Sequence, residues 1–230
     1  MSLIYSPRTI LLSIFISIFF LLSPMISLAQ VTSSAKIFKF SLAAVAQVNK
    51  DGRSQIIPVV DNMILQSENL IKFFLELEKE GYLYLFHEDS QSELVLLFPK
   101  DSLPAKVPKL TPVYIPEGNS WIELDSNTGK ETFHLLVSAV RLERLEKLYN
   151  HHAMQNEKDD IKQSRESIIS EIKSLKRENL GRQAEKPIRI AGKLRGNSPS
   201  SSLTLQELSE LASEITTSGT YVKSVTINHK

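Results

Sequence analysis

Gly81-Tyr82-Leu83-Tyr84-Leu85-Phe86, followed across His87-Glu88-Asp89-Ser90 by Glu93-Leu94-Val95-Leu96-Leu97-Phe98-Pro99, decides the fold class of this 230-residue chain. Aromatic and branched side chains in runs this short suit a pleated, half-buried surface. His87 to Ser90 read as a polar turn. Pro99 ends the second run, because proline has no N–H to give to a strand ladder.

Working outward, the same punctuation continues on both sides. Val45 and Val48 lead into Asn49-Lys50-Asp51-Gly52, and Gln55-Ile56-Ile57 follows. Asp-Gly tolerates the positive backbone angles of a tight turn, so this segment reads as a hairpin. Residues 70–77 fit two templates. Leu70, Phe73, Phe74 and Leu77 form a helical stripe, while Ile71, Phe73, Leu75 and Leu77 alternate as in a strand. Composition favours the strand, with residues 82–86 as its expected partner. Pro104, Pro108, Pro112 and Pro116 predict an extended, irregular stretch. Trp121-Ile122-Glu123-Leu124 and Thr132-Phe133-His134-Leu135-Leu136-Val137 predict two further strands joined by a turn. Short strands at this spacing point to a β-sandwich or barrel.

The composition changes after Ser138. Leu142, Leu145, Leu148 and Tyr149 recur at helical spacing, and Ile161, Ile168, Ile169, Ile172 and Leu175 continue the pattern. Two helices with a break near residues 156–160 are expected, with Gly181 as the stop. The predicted organisation is a β-sandwich domain over 36–138, a helical insertion over 139–180 and a basic, Ser/Pro/Gly-rich linker over 181–202. A short helix and a C-terminal strand over 203–228 then complete the β-domain. The linker has room for one strand at Ile188-Arg189-Ile190, Thr204 is placed to cap the short helix, and Tyr221 to Ile227 alternates as a strand.

Gly81-Tyr82-Leu83-Tyr84-Leu85-Phe86, Leu97-Phe98-Pro99, Tyr114-Ile115-Pro116 and Gly129-Lys130-Glu131 with Val137-Ser138 occur in an order that resembles the bacterial family called domain of unknown function 4384. The resemblance covers roughly residues 40–140. Lys100 stands where that family often has Asn. The resemblance implies a mainly β, immunoglobulin-like β-sandwich and implies no catalytic residue. In other proteins the domain is often joined to signalling or protease modules, which implies an accessory or recognition role.

The first 29 residues carry an address. Arg8, an apolar run over 10–22, and Ser27-Leu28-Ala29 before Gln30 make a secretory signal peptide with cleavage expected after Ala29. An uncleaved membrane anchor is the alternative, although the run falls short of the roughly 20 apolar residues a span needs. The expected location is the periplasm or beyond. Arg8 is the only charged residue of that segment, so 27 basic and 26 acidic residues fall to equal numbers on cleavage. A net charge near zero argues against a protein that coats nucleic acid. The chain has no cysteine, which excludes disulfides, thiolate metal sites and a cysteine nucleophile.

Motifs for chemistry are sparse. His134 reads as a hydrogen-bonded strand residue, and His87 as part of a solvated turn. His151-His152 with Asp159 and Asp160 lacks convincing metal-ligand spacing, because adjacent helix positions face different ways. No nucleophile elbow or phosphate loop occurs. No cofactor, metal or catalytic residue is expected. One charge feature rises above the rest: Lys173, Lys176, Arg177, Arg182, Lys186, Arg189, Lys193 and Arg195 face only Glu178 and Glu185, a surplus of six. Such an arm suits an anionic surface, either a membrane or an acidic protein, and equally suits folding back on the rest of the chain. The expected function is a non-catalytic binding or accessory module of the bacterial cell envelope, with another envelope protein as partner. The alternative is a hydrolase of an envelope polymer that uses a carboxylate acid/base pair.

Overall fold

The computed structural model describes residues 37–50, 52–100, 103–186 and 205–230. All of them belong to one compact unit, Ala35–Lys230.

Two β-sheets face one another. In the first, β1 (Phe38–Lys50) and β2 (Arg53–Pro58) form a hairpin in which Lys50 pairs with Arg53 across the expected turn. Gly52 adopts a positive φ of 71°, the backbone freedom for which glycine is suited. The other edge of β1 carries β4 (Leu70–Leu77), which in turn meets β8 (Val113–Ile115) and β9 (Ile122–Glu123). β12 (Ser213–Thr217) lies beside the first half of β1, and β11 (Gln183–Lys186) beside β12. The second sheet runs β3 (Met63–Leu65), β13 (Tyr221–His229), β10 (Gly129–Ser138), β5 (Gly81–Glu88), β6 (Leu94–Phe98), with β7 (Lys106–Val107) also on β5. Only the β3–β13 pair is parallel among the described pairings.

Between the sheets lies the main core. Phe40 and Leu42 on β1 meet Ile71, Phe73, Leu75 and Leu77 on β4, facing Leu83, Leu85, Phe133, Leu135 and Val137. The alternation of period two in 70–77 is therefore a strand, as composition favoured. Its partner differs from the expectation. β4 pairs with β1, β8 and β9, while β5 pairs in the opposite sheet, so the Glu78-Lys79-Glu80 turn carries the chain from one layer to the other. Strands 121–124 and 132–137 separate in the same way: β9 joins the first sheet and β10 the second.

β5 and β10 are buried on both faces, which explains why their sequences read as continuous apolar runs. A helical hairpin covers the outer face of the second sheet. It consists of α1 (Glu143–His152) and α2 (Lys158–Glu178), split where the sequence predicts. Leu145, Ile168 and Ile172 pack on Tyr84, Phe86, Leu136 and Val222. A smaller apolar cluster on the outer face of the first sheet joins Ala43, Val45 and Phe74 to Leu208 and Ala212 at and after the short helix α3 (Leu205–Glu210). The chain is a mainly β sandwich with a helical insertion and a returning C-terminal strand.

Three further expectations need correction. His87 and Glu88 end strand β5 instead of forming a turn. The stretch read as linker contains a strand, β11, whose four residues are all exposed and therefore carry no apolar signal. The proline-rich stretch contributes β7 and β8, held by pairing with β5 and β4 and not by their own composition. The signal segment over 1–29, the strand at 188–190 and the cap at Thr204 lie outside the described residues.

Candidate functional site

The end of β5 assembles a polar cluster on each face of the second sheet. On the inner face, His87, Glu131 and His229 follow the alternation of core residues on three neighbouring strands. His87 stacks on the Phe133 ring at 4.6 Å and donates from Nε2 to Glu131 Oε2 at 2.7 Å. The Ser90 amide donates to the other carboxylate oxygen at 3.3 Å. His229 Nδ1 stands 4.0 Å from that same oxygen, while its Nε2 lies 3.1 Å from Ser67 Oγ.

Serine, histidine and carboxylate thus occur in the order used by nucleophilic hydrolases. The surroundings differ from such a site. The His229 side chain is 0% exposed, and the amides of Ser67 and Glu68 donate to Lys230 O and Leu124 O. Backbone donors that would face an oxyanion are spent on the fold. The cluster closes the end of the core and fastens the C-terminal strand to the β3–β4 turn.

On the outer face, His134 Nδ1 lies 2.9 Å from Ser224 Oγ, in keeping with a hydrogen-bonded strand histidine. Its Nε2 is 3.9 Å from Glu88 Oε2 and has no hydrogen-bond partner. Arg165 on α2 donates to Glu88 Oε1 at 3.3 Å and to Ser92 O at 3.1 Å. The neighbouring His134 imidazole, followed by the Arg165 guanidinium, holds the Glu88 carboxyl below its ordinary pKa. At the other end of the hairpin Tyr84 donates to Glu146 Oε1 at 2.6 Å, and Arg141 grips Glu146 Oε2. Burial and this carboxylate push the Tyr84 phenol well above its usual pKa.

Lys72 is the residue that sequence reading passed over. It is 2% exposed, on the outer face of β4, and its ammonium donates to the carbonyls of Pro116, Gly118 and Ser120 beside the Trp121 ring. Burial lowers its pKa. The one available signal is a lone charge inside Leu70-Ile71-Lys72-Phe73-Phe74.

The basic residues fall into three groups. Lys173, Lys176 and Arg177 lie exposed along α2, Arg182 is exposed just after it, and Lys186 ends β11 with an ion pair to Glu214 at 3.6 Å. Arg189, Lys193 and Arg195 lie outside the described residues. His152 bonds Ser164 Oγ at 2.8 Å, and that hydroxyl donates to the Asp160 carbonyl. Among the described residues no group of three His, Asp or Glu side chains gathers as a metal site, and no helix is long and apolar enough to cross a membrane.

Fold and site together define a β-sandwich domain buttressed by a helical hairpin and braced by buried polar contacts. Residues 65–141 match the family described as Domain of unknown function (DUF4384), and the family resemblance read from the sequence is borne out over that stretch. No curated protein and no solved structure matches the chain. The geometry gives the family-like motifs physical reasons. A Cβ on Gly81 would stand 2.6 Å from the Phe38 ring and 2.9 Å from Ser138 O, so the chain can pass there only as glycine. Glu131 of Gly129-Lys130-Glu131 is the buried carboxylate of the inner cluster, and Pro116 of Ile115-Pro116 supplies a carbonyl to Lys72.

Proposed function

We propose that this protein is an exported, non-catalytic binding module of the bacterial cell envelope, and that it meets an acidic partner protein through the outer face of the helical hairpin. The observation carrying this reading is how α2 is held. Its inner side is anchored by Ile168, Ile172 and the Arg165–Glu88 bond, while Lys173, Lys176 and Arg177 stand in solvent. Arg182, just beyond the helix, is exposed as well. A rigid helix presents its cations from fixed backbone positions, so binding has to order the side chains but not the helix itself. The signal-like segment ending at Ala29 supports the envelope location.

The test is site-specific photocrosslinking in intact envelopes. A photoreactive side chain at Lys176 should yield one discrete adduct, and the same group at Gln55 on β2 should not. Replacing Lys173, Arg177 and Arg182 by Gln should remove the adduct while leaving the protein folded. Adducts that are absent, or unchanged by those substitutions, defeat the reading. Intact-mass measurement of the native protein should find Gln30 at the amino terminus, and a retained 1–29 segment would mean an anchor.

A further inference from the structure

We propose that the flank of the sandwich between β12 and β2 holds a binding site for a small, neutral aromatic molecule, seated over Ala44. Along β1, Leu42 pairs with Ser213 of β12, whereas Val45 pairs with Pro58 of β2. The partner strand therefore changes beside Ala43 and Ala44. A cavity of about 210 Å³ enters the sandwich at that break. It reaches Phe73, Phe133, Leu135 and Val225, which belong to the central core.

Ala44 makes the room. It shares the inner face of β1 with Phe38, Phe40 and Leu42, and it is only half-buried although it sits directly across from buried Phe73. A large side chain there would fill the space, as its neighbours do. Natural cores are packed to the density of organic crystals, and here that packing stops at Ala44 in a cleft open to solvent.

The walls select the ligand. Phe73 and Phe133 present rings with centroids 5.3 Å apart, tilted by 50°. Both rings are nearly enclosed and His87 already stacks on Phe133, so a ligand ring seated in the cleft meets only their edges, the edge-on arrangement that aromatic pairs favour. An apolar cavity of about 150 Å³ already admits benzene, so this one accepts a single ring with a small substituent or a compact bicycle. The charged residues of its lining, Glu185 and Lys223, pair with each other at 3.2 Å, and Tyr221 OH donates to the same carboxylate. The rim is thereby neutralised, which favours an uncharged ligand over an acid or an amine. This site is independent of the basic face on α2.

Methyl NMR of the full chain, titrated with toluene and with indole, tests the proposal. Saturable shifts are expected at Leu42, Leu135 and Val225, with Leu145 on α1 of the helical hairpin unmoved as the internal control. Ala44→Leu should weaken toluene binding at least tenfold while the spectrum stays folded. Ala44→Val, a smaller filling of the same space, should give an intermediate loss and serves where the leucine variant does not fold. Absence of saturable shifts with both probes overturns the proposal. So does toluene affinity that is unchanged in a folded Ala44 variant.

Discussion

Tyr84 Oη and Glu146 Oε1 are 2.6 Å apart, both side chains fully enclosed between the second sheet and α1. Tyr84 Oη also accepts the Leu142 amide at 3.3 Å, so one phenol joins the sheet, the helix start and the helix carboxylate. Tyr84→Phe removes both partners while preserving the ring. It is expected to cost about 1–3 kcal/mol, the penalty for a buried polar group left unmet. Urea unfolding, read as a change in midpoint at constant slope, measures it. A midpoint within error of the parent would show that the bond does not hold the helical hairpin.

Acid should loosen the opposite end of the same interface. The Glu88 carboxyl has a folded pKa held below its ordinary value by His134 and Arg165. A depressed carboxyl pKa means that the unfolded chain binds more protons in the window between the two values. Its contribution to stability is therefore complete above the unfolded carboxyl value and is lost as pH falls through the folded one. Parent and Glu88→Gln should differ near neutral pH and converge in strong acid. Urea midpoints taken from pH 7 downward give the comparison, and a gap that stays constant with pH contradicts the assignment.

Lys72 should matter more than an ordinary lysine. Lys72→Met keeps the aliphatic stem and withdraws the donor from three carbonyls of residues 116–120. The expected loss is about 1.5–3 kcal/mol, the range for hydrogen bonds made by a charged group. The loop beside Trp121 should also become a site of proteolytic cleavage. Resistance equal to the parent, judged by timed digestion and mass measurement, would show that the ammonium does not hold the loop.

Gly81→Ala tests the close approach at the start of β5. The added methyl would meet the Phe38 ring and the Ser138 carbonyl, and the carbonyl cannot swing away without disturbing β10. Overpacking of this kind costs about 1–3 kcal/mol. Thermal unfolding should show a lowered Tm, whereas an unchanged Tm would mean the two strands can part without penalty.

Local physics made much of this protein legible before its tertiary structure. Alternation in 70–77 and 221–227, the Asp51-Gly52 turn, and the helical spacing of Leu145, Ile168 and Ile172 each reflect a period that a side chain imposes within its own segment. β3, β11 and β12 escaped notice because they are short strands at or near sheet margins. Ser213-Glu214-Ile215-Thr216-Thr217 has little apolar content, and β11 has no buried residue. The inner cluster was hidden for another reason. His87, Glu131 and His229 lie far apart in the chain, and no local spacing relates them.

Most of the longer strands, both hairpin helices with their break, and the family motifs around Gly81, Pro116 and Glu131 are written in local residue patterns. Packing of the layers decided that consecutive strands β4 and β5 enter opposite sheets, that β5 and β10 are covered on both faces, and that Lys72 is enclosed. It also decided that β1 changes partners over Ala44, which opens the cavity. A strand carries its own period of two in its residues, but its partner is selected by burying one whole face against another. That selection is a property of the assembled layers, because each pairing becomes favourable only when the opposing sheet and the helices remove its apolar side chains from water.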